Sequence, residues 1–440
     1  MSVSRELKTF EGSVEEKLLR TALKDLEFYD FANLVIETCN VLKPVPFVNA
    51  DVVLQSMYLE LSKEKAYSAE TFEELDVGNT DVGYTIVAYD QLFNTEMVKE
   101  LIDHGICAVP EECKPAVLAM LKFLRDKKHH QEALSDMKVV GDTATLTAVM
   151  AQHLFSPLIA GNDYVIDNRS ENLPRCMYCP CEKENCKALM NSGCTALGSP
   201  ETWHGYVDII LNQNVAASLL ECPSKEETKH FEHDDYPDDC EEDDPSDFFD
   251  DDFTAEEVGP TRIKRICMEN NDTEEGDTLS MTSQHKEDKS MKAMDQLIAQ
   301  TITNAFTQVN KTPALSGWLI PTISCTLDHV TALFYDPKND VLFQSVDRIP
   351  IWGFNGLHIP SIVQIWMFLN FTFFTFKDLA DIYELNRSNF HSHAKNRLKD
   401  FRKMKCGNAL NFIYDFDYHS DVLTKMRKKG KKAEKKQREH

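Results

Sequence analysis

Five cysteines fall within nineteen residues: Cys176, Cys179, Cys181, Cys186 and Cys194, spaced C-x2-C-x-C-x4-C-x7-C, with His204 ten residues further on. Thiolates at such spacing can close a tetrahedral Zn²⁺ site, and the ion would pin a loop that has no core of its own. Pro180 and Gly193 suit the tight turns that wrapping round an ion requires. Five thiols allow several sets of four ligands, and the alternative is a loop of free thiols. The chain has 13 cysteines, and its start, Met1-Ser2-Val3-Ser4-Arg5-Glu6-Leu7, turns polar at once, without the apolar core of an export signal. Reduced thiols in the nucleus or cytoplasm are therefore expected, and a secreted disulfide scaffold is not.

A second set of residues could act on phosphates. Asp208 lies in a strand-like run, residues 206–211, and the turn Asn212-Gln213-Asn214 leads to a second strand-like run at 215–220. Further on, Gln296 and Gln300 stand one helical turn apart, where they could touch a nucleic-acid backbone or face solvent. Residues 387–405 interleave seven cations, among them Lys395, Arg397, Lys399, Arg402 and Lys403, with Phe390, His391, His393 and Phe401. That pattern fits a phosphate-contacting helix as well as it fits a solvated helix face. The last twenty residues carry nine Lys or Arg, and Arg427-Lys428-Lys429 with Lys431-Lys432 is similar to a nuclear-import signal or a nonspecific polybasic tail.

Taken together, Pro200-Glu201-Thr202-Trp203-His204-Gly205-Tyr206-Val207-Asp208-Ile209-Ile210-Leu211, the helix from Gln296 to Ile302, Pro321, Tyr335-Asp336, Asp340-Val341-Leu342, Ile365-Trp366 and Leu369-Asn370 resemble the PD-(D/E)XK nuclease superfamily. The nearer likeness is to invertebrate proteins that carry a domain of that type, and it covers roughly residues 140–420 without the acidic stretch in the middle. The resemblance implies an α/β fold, a three-layer core around a central mixed sheet. It also implies a Mg²⁺ site in which hard oxygen ligands activate water and stabilise charge on the scissile phosphate. In the family one Asp ends a strand, an acid on the next strand shares the metal, a Lys two positions later orients the nucleophile, and a helix Glu often completes the set. Asp208 matches the first position. Glu221, at the margin of the second strand, is the nearest candidate for the second, and no Lys follows it at the required spacing. Glu227-Thr228-Lys229 has that spacing but lies in a polar run, and the helix pattern at 143–159 contains no Glu. Magnesium is thus expected only if catalysis survives, and cleavage is expected to be weak or lost. Some members of the superfamily hold an iron–sulfur cluster through cysteines, a second option for the cysteine group.

Several elements must position these residues. Residues 1–135 read as a helical N-terminal domain: an amphipathic run from Val14, a second helix from Asn49 or Asp51 through Val52, Val53, Leu54, Met57 and Leu59, and a third with Pro115 in its first turn. The nuclease-like domain is expected in two parts, 140–221 and 291–420, separated by an acidic disordered insert at 222–290 and followed by a basic tail at 421–440. Strands are expected at 317–324, 330–335 and 341–345, with Asp336-Pro337-Lys338-Asn339-Asp340 as a turn. The run 359–376 is rich in Ile, Trp, Leu and Phe, yet it contains Pro360, Gln364 and Asn370 and falls short of roughly 20 clean apolar residues, so a buried helix is expected and no membrane partner.

The formal charge of −25 is unevenly placed, since 18 acidic residues face only Lys225 and Lys229 between Glu221 and Glu257. Like charges repel there, and little apolar surface offsets the ordering entropy, hence the expected disorder. Phe248, Phe249 and Phe253 within it could form a short motif for a protein partner, and residues 263–268 a strand. Two functions fit. One is a nucleic-acid-binding protein of nuclease ancestry, with DNA or RNA as partner. The other is an intracellular interaction or scaffold protein that uses its N-terminal region and acidic insert.

Overall fold

In the computed structural model the residues described are 3–28, 30–55, 84–137, 143–169, 178–181, 183, 186–220 and 280–404. Residues 1–222 and 289–440 form one compact unit. Of residues 223–288, only those from Ser280 onward, the start of a helix, are described. The expected disorder at 222–279 and the strand at 263–268 therefore lie outside the described residues, as do Glu221 and the basic tail.

The first long helix, α1 (Val14–Lys24), starts where the Ser13 hydroxyl accepts the Glu16 N–H at 3.1 Å. Glu16 is itself buried, and its carboxylate accepts the Ile106 N–H at 3.2 Å, which fixes α1 against the end of a later helix. Four strands follow: β1 (Phe31–Leu34), β2 (Ile36–Cys39), β3 (Val52–Leu54) and β4 (Tyr84–Val87). Helices α2 (Thr95–His104), α3 (Lys114–Arg125) and α4 (Lys127–Asp136) come next, α3 with its proline in the first turn as expected. Helix α5 (Thr143–Met150) passes into a π-helical turn, Ala151–Phe155.

Two of these strands correct the expectation of a separate helical domain at 1–135. Strand β1 pairs antiparallel with β4 and with a strand from the far end of the chain, so the N-terminal region completes the main sheet. Asn49 and Asp51 do not cap a helix either. Val52–Leu54 is a strand paired with β2, in keeping with the stiff, β-favouring valines.

The rest of the sheet comes from β5 (Tyr164–Asp167), β6 (Ser192–Gly193), β9 (Ile209–Leu211) and β10 (Val215–Leu219), while β7 (Ala196–Gly198) and β8 (His204–Tyr206) pair with each other in a separate small hairpin. Asn212 and Gln213 take φ of 47° and 60° in the three-residue turn between β9 and β10, where Asn214 N–H returns to the Leu211 carbonyl at 3.0 Å. Helix α6 (Ser280–Lys311) then leads to β11 (Ile320–Cys325), β12 (His329–Asp336) and β13 (Val341–Ser345). It begins eleven residues before order was expected to return. The strand order is β4-β1-β13-β12-β11-β10-β9-β5-β6. Pairing is antiparallel except at β10–β11 and β5–β6, so the sheet is mixed. Strands β10 and β11 lie side by side and parallel, which obliges the chain to cross over between them, and α6 is part of that crossover.

The core is capped by α7 (Ile359–Leu369), buried from Ser361 to Leu369. Its Trp366 indole N–H donates to the Ala116 carbonyl on α3 at 2.9 Å, joining the two ends of the chain. The helix stops at Asn370, whose amide donates to the Leu158 carbonyl at 2.9 Å. Among the described residues no helix is long and apolar enough to cross a membrane, and α7 is apolar because the core surrounds it. The expected basic helix at 387–405 is instead two short ones, α8 (Phe390–Ala394) and α9 (Leu398–Phe401), because Lys395 takes a φ of 47° that interrupts the helix.

Asp340 locks this end of the fold. Its carboxylate is buried and accepts the Tyr335 hydroxyl at 2.8 Å, the Ser388 hydroxyl at 2.5 Å and the His391 N–H at 3.1 Å. Removing an acceptor shared by three donors, two of them on fully buried side chains, costs roughly 1–3 kcal/mol for each donor left unpaired, before relaxation. Asp340→Ala is expected to cost about 3–5 kcal/mol, read as a lower denaturant midpoint and melting temperature. A loss below about 1 kcal/mol would mean that α8 is held by its apolar side alone.

Candidate metal centre and carboxylate site

The π-helical turn at the end of α5 carries His153 into the protein, where it is 1% exposed. The loop between β5 and β6 brings Cys179, Cys181 and Cys186 to meet it. The four ligand atoms lie within 4.8 Å of one another. His153 Nε2 stands 3.3 Å from Cys179 Sγ and 3.5 Å from Cys186 Sγ. A tetrahedral ion with metal–sulfur bonds of about 2.3 Å and metal–nitrogen bonds of about 2.0–2.1 Å needs nitrogen–sulfur edges of about 3.5 Å. The cluster therefore has the composition and the dimensions of a closed metal site.

The backbone prepares the sulfurs. Cys181 N–H points at Cys179 sulfur and Lys183 N–H at Cys181 sulfur, each favouring the thiolate. Burial works the other way, pushing both thiols up, most strongly at Cys179. A bound divalent cation supplies the missing positive charge. Burial also lowers His153 to about 3 and His130 to about 4, the neighbouring imidazoles adding to it, so both rings are neutral, the form in which imidazole ligates a metal. Outside the cluster, Cys179 N–H donates to the Ala188 carbonyl at 2.8 Å, and Lys183 pairs with Asp136 of α4 at 2.6 Å.

Three of the five expected cysteines thus come together. Cys194 lies exposed outside the cluster, and Cys176 lies outside the described residues. His204 is not part of the cluster, and its Nδ1 lies 2.9 Å from the Thr202 carbonyl. The fourth ligand, His153, stands apart in sequence, on an otherwise apolar helix. Its single signal was a histidine among Ala148, Val149, Met150, Ala151, Leu154 and Phe155, a pattern more common for a core histidine than for a ligand.

Asp208 sits just before β9, and its carboxylate accepts the Leu219 N–H from the end of β10 at 2.7 Å. Burial raises it to about 6, with the Asp167 charge adding and Arg169 opposing. The expected second acid, Glu221, lies outside the described residues, and β10 itself, Val215–Leu219, carries neither acid nor cation. The neighbouring carboxylate comes from the other side of β9. Asp167, at the end of β5, is fully buried, and its N–H donates to the Asp208 carbonyl at 2.9 Å. Arg169 Nε reaches Asp167 at 2.6 Å, and its guanidinium lies 4.2 Å from the centre of the Tyr206 ring. Two carboxylates, one with a raised proton affinity, therefore share one guanidinium.

The remaining candidates divide. Gln300 is buried, and its amide oxygen accepts the Ser218 hydroxyl at 3.1 Å, so it joins α6 to β10 and meets neither solvent nor phosphate. Gln296 is half-buried. Asn304 and Gln308 continue the same buried stripe, Asn304 donating to the Asn214 carbonyl at 3.1 Å and Gln308 to Asn304 at 3.0 Å. Lys395, Lys399, Arg402 and Lys403 are exposed, whereas Arg397 is half-buried and paired with Asp400 at 3.3 Å. The comparisons add nothing to this picture: no family model, no curated protein and no solved structure matches the chain.

The raised Asp208 fixes a pH dependence. A carboxyl that binds its proton more tightly when folded adds stability that is fully present below its ordinary value of 3.8 and is lost as pH rises through about 6. Asp208→Asn keeps an oxygen for the Leu219 N–H and carries no charge. The variant is expected to be more stable than wild type by roughly 2–3 kcal/mol at pH 8, the advantage vanishing towards pH 4. Denaturant titrations across that range measure it, and a difference that does not change with pH would refute the assignment.

Proposed function

We propose that the chain is a zinc-stabilised nucleic-acid-binding protein of PD-(D/E)XK nuclease ancestry in which cleavage has been lost. The observation that carries the binding half is the outward set Lys395, Lys399, Arg402 and Lys403. Lys399 lies on α9 and the others directly follow α8 or α9, in a stretch fastened from inside by the buried side chains of Phe390, Ala394, Phe401 and Met404. A cation held on an anchored backbone loses less freedom on meeting a phosphate than one on a mobile tail. The loss of cleavage is supported by the makeup of β10, which offers no second acid and no lysine beside Asp208, and by the guanidinium of Arg169 next to the carboxylates. Zinc is the ion best suited to three thiolates and one imidazole in a closed tetrahedron.

One set of measurements tests the reading. Protein purified without chelator is expected to carry one zinc and no iron, and Cys179→Ser with Cys181→Ser to carry none. Affinity for double-stranded DNA or RNA is expected to fall with salt at a logarithmic slope of about −3 to −4, one phosphate per exposed cation, or about 10²-fold between 50 and 200 mM. Changing the four cations to Gln is expected to remove that slope. No measurable affinity at low salt overturns the binding half. With Mg²⁺ or Mn²⁺, wild type and Asp208→Ala are both expected at background, and cleavage by wild type that Asp208→Ala abolishes would restore an active nuclease.

A further inference from the structure

His153 has two ring nitrogens, and each has its own neighbour. Nε2 faces the sulfurs of Cys179 and Cys186 at 3.3 and 3.5 Å. Nδ1 faces Nδ1 of His130 at 3.3 Å. Whether Nε2 ligates an ion or accepts from a thiol, it must present its lone pair to the sulfurs, so the ring hydrogen of His153 resides on Nδ1. That hydrogen then points at His130 Nδ1, which must accept it, and His130 carries its own hydrogen on Nε2. The direction of the bond is thereby fixed.

The His130 ring is held for this task. It lies parallel to Phe123 of α3, with centroids 4.8 Å apart and planes 2° apart, while His129 meets His153 edge-on at 5.1 Å. A metal-bound imidazole almost always donates its second N–H to a fixed acceptor, which sets its tautomer and its ring orientation. A carboxylate or a carbonyl commonly fills that place, and here a second imidazole does.

We propose that His130 is the positioning residue of the metal centre: by accepting the Nδ1 hydrogen of His153 it holds that ring with Nε2 aimed at the ion. The inference rests on the reading that His153, Cys179, Cys181 and Cys186 hold zinc. It also gives the N-terminal helices a part in metal binding, since α3 and α4 supply the stack and the acceptor.

The test compares wild type, His130→Phe and His130→Gln. Phe keeps an aromatic ring on Phe123 and removes the acceptor, and Gln restores an acceptor oxygen without the ring. Zinc affinity is read by competition with a chromophoric chelator, ligand geometry by the visible absorption of the Co²⁺-loaded protein, and packing by the melting temperature of the chelator-treated protein. Expected are a 10- to 100-fold weaker affinity and a shifted Co²⁺ spectrum in His130→Phe, partial recovery of both in His130→Gln, and a change in melting temperature confined to the metal-loaded form. Equal affinities and spectra in all three proteins overturn the proposal. So does a loss in His130→Phe that lowers the metal-free melting temperature equally, because the role is then packing alone. If wild type itself binds neither Zn²⁺ nor Co²⁺, the metal reading fails and the positioning role falls with it, an outcome distinct from variants that leave a working site unchanged.

Discussion

The convergence of three thiols and one imidazole joins Cys179, Cys181 and Cys186, between β5 and β6, to His153 at the end of α5. Cys179 and Cys181 are buried in a stretch that offers little else to a core. A closed metal site contributes to folding directly, because the unfolded chain has no preformed set of ligands. Beyond the thiols, β6 pairs with β5, the hairpin of β7 and β8 follows, and Asp208 comes two residues after β8. The three thiols thus lie in the chain between the two carboxylates, Asp167 before them and Asp208 after them.

Those carboxylates have to be balanced by their surroundings. Burying two negative charges side by side is unfavourable unless something balances them, through a cation or a proton. Asp167 has the guanidinium of Arg169, and Asp208 has a raised affinity for a proton. With β10 supplying only apolar residues and Ser218 opposite Asp208, and Ser218 bound to Gln300, the polar groups around the acid are engaged in holding strands and helix together.

Much of this was legible in the sequence because it rests on local rules. The strands at β10, β12 and β13, the Asn212–Gln213 turn and the proline-initiated α3 follow from alternation, turn residues and first-turn preferences. Three members of the candidate metal cluster followed from spacing. The rest depended on contacts between residues far apart in the chain. Nothing near Phe31 announces that it will pair with Ser345, so the N-terminal strands read as part of a separate helical domain. Gln300 lacks any local mark of burial, since a polar residue on a long helix is ordinarily a solvated one, and its partner Ser218 is 82 residues away. His153 is the same case for the metal. A lone histidine on an apolar helix gains meaning once a loop of thiols folds back on it.

The crossover between β10 and β11 explains where the fold can tolerate a long acidic stretch. Parallel neighbours need a long connection in any case. Chain length enters loop closure only logarithmically, about 0.6 kcal/mol for each doubling. Both ends of the connection are pinned by contacts that do not involve it: the Leu219 N–H is held by Asp208, and α6 is held on the strands through Gln300 and Asn304. A long, strongly charged segment placed between residues 220 and 280 therefore alters neither the register of β10 on β11 nor the carboxylate pair. The buried polar stripe of α6 acquires a purpose on this view. An apolar helix could slide along the sheet at little cost, whereas Gln300 on Ser218 and Asn304 on the Asn214 and Pro321 carbonyls set one register and penalise every other, since displaced polar groups would be buried without partners.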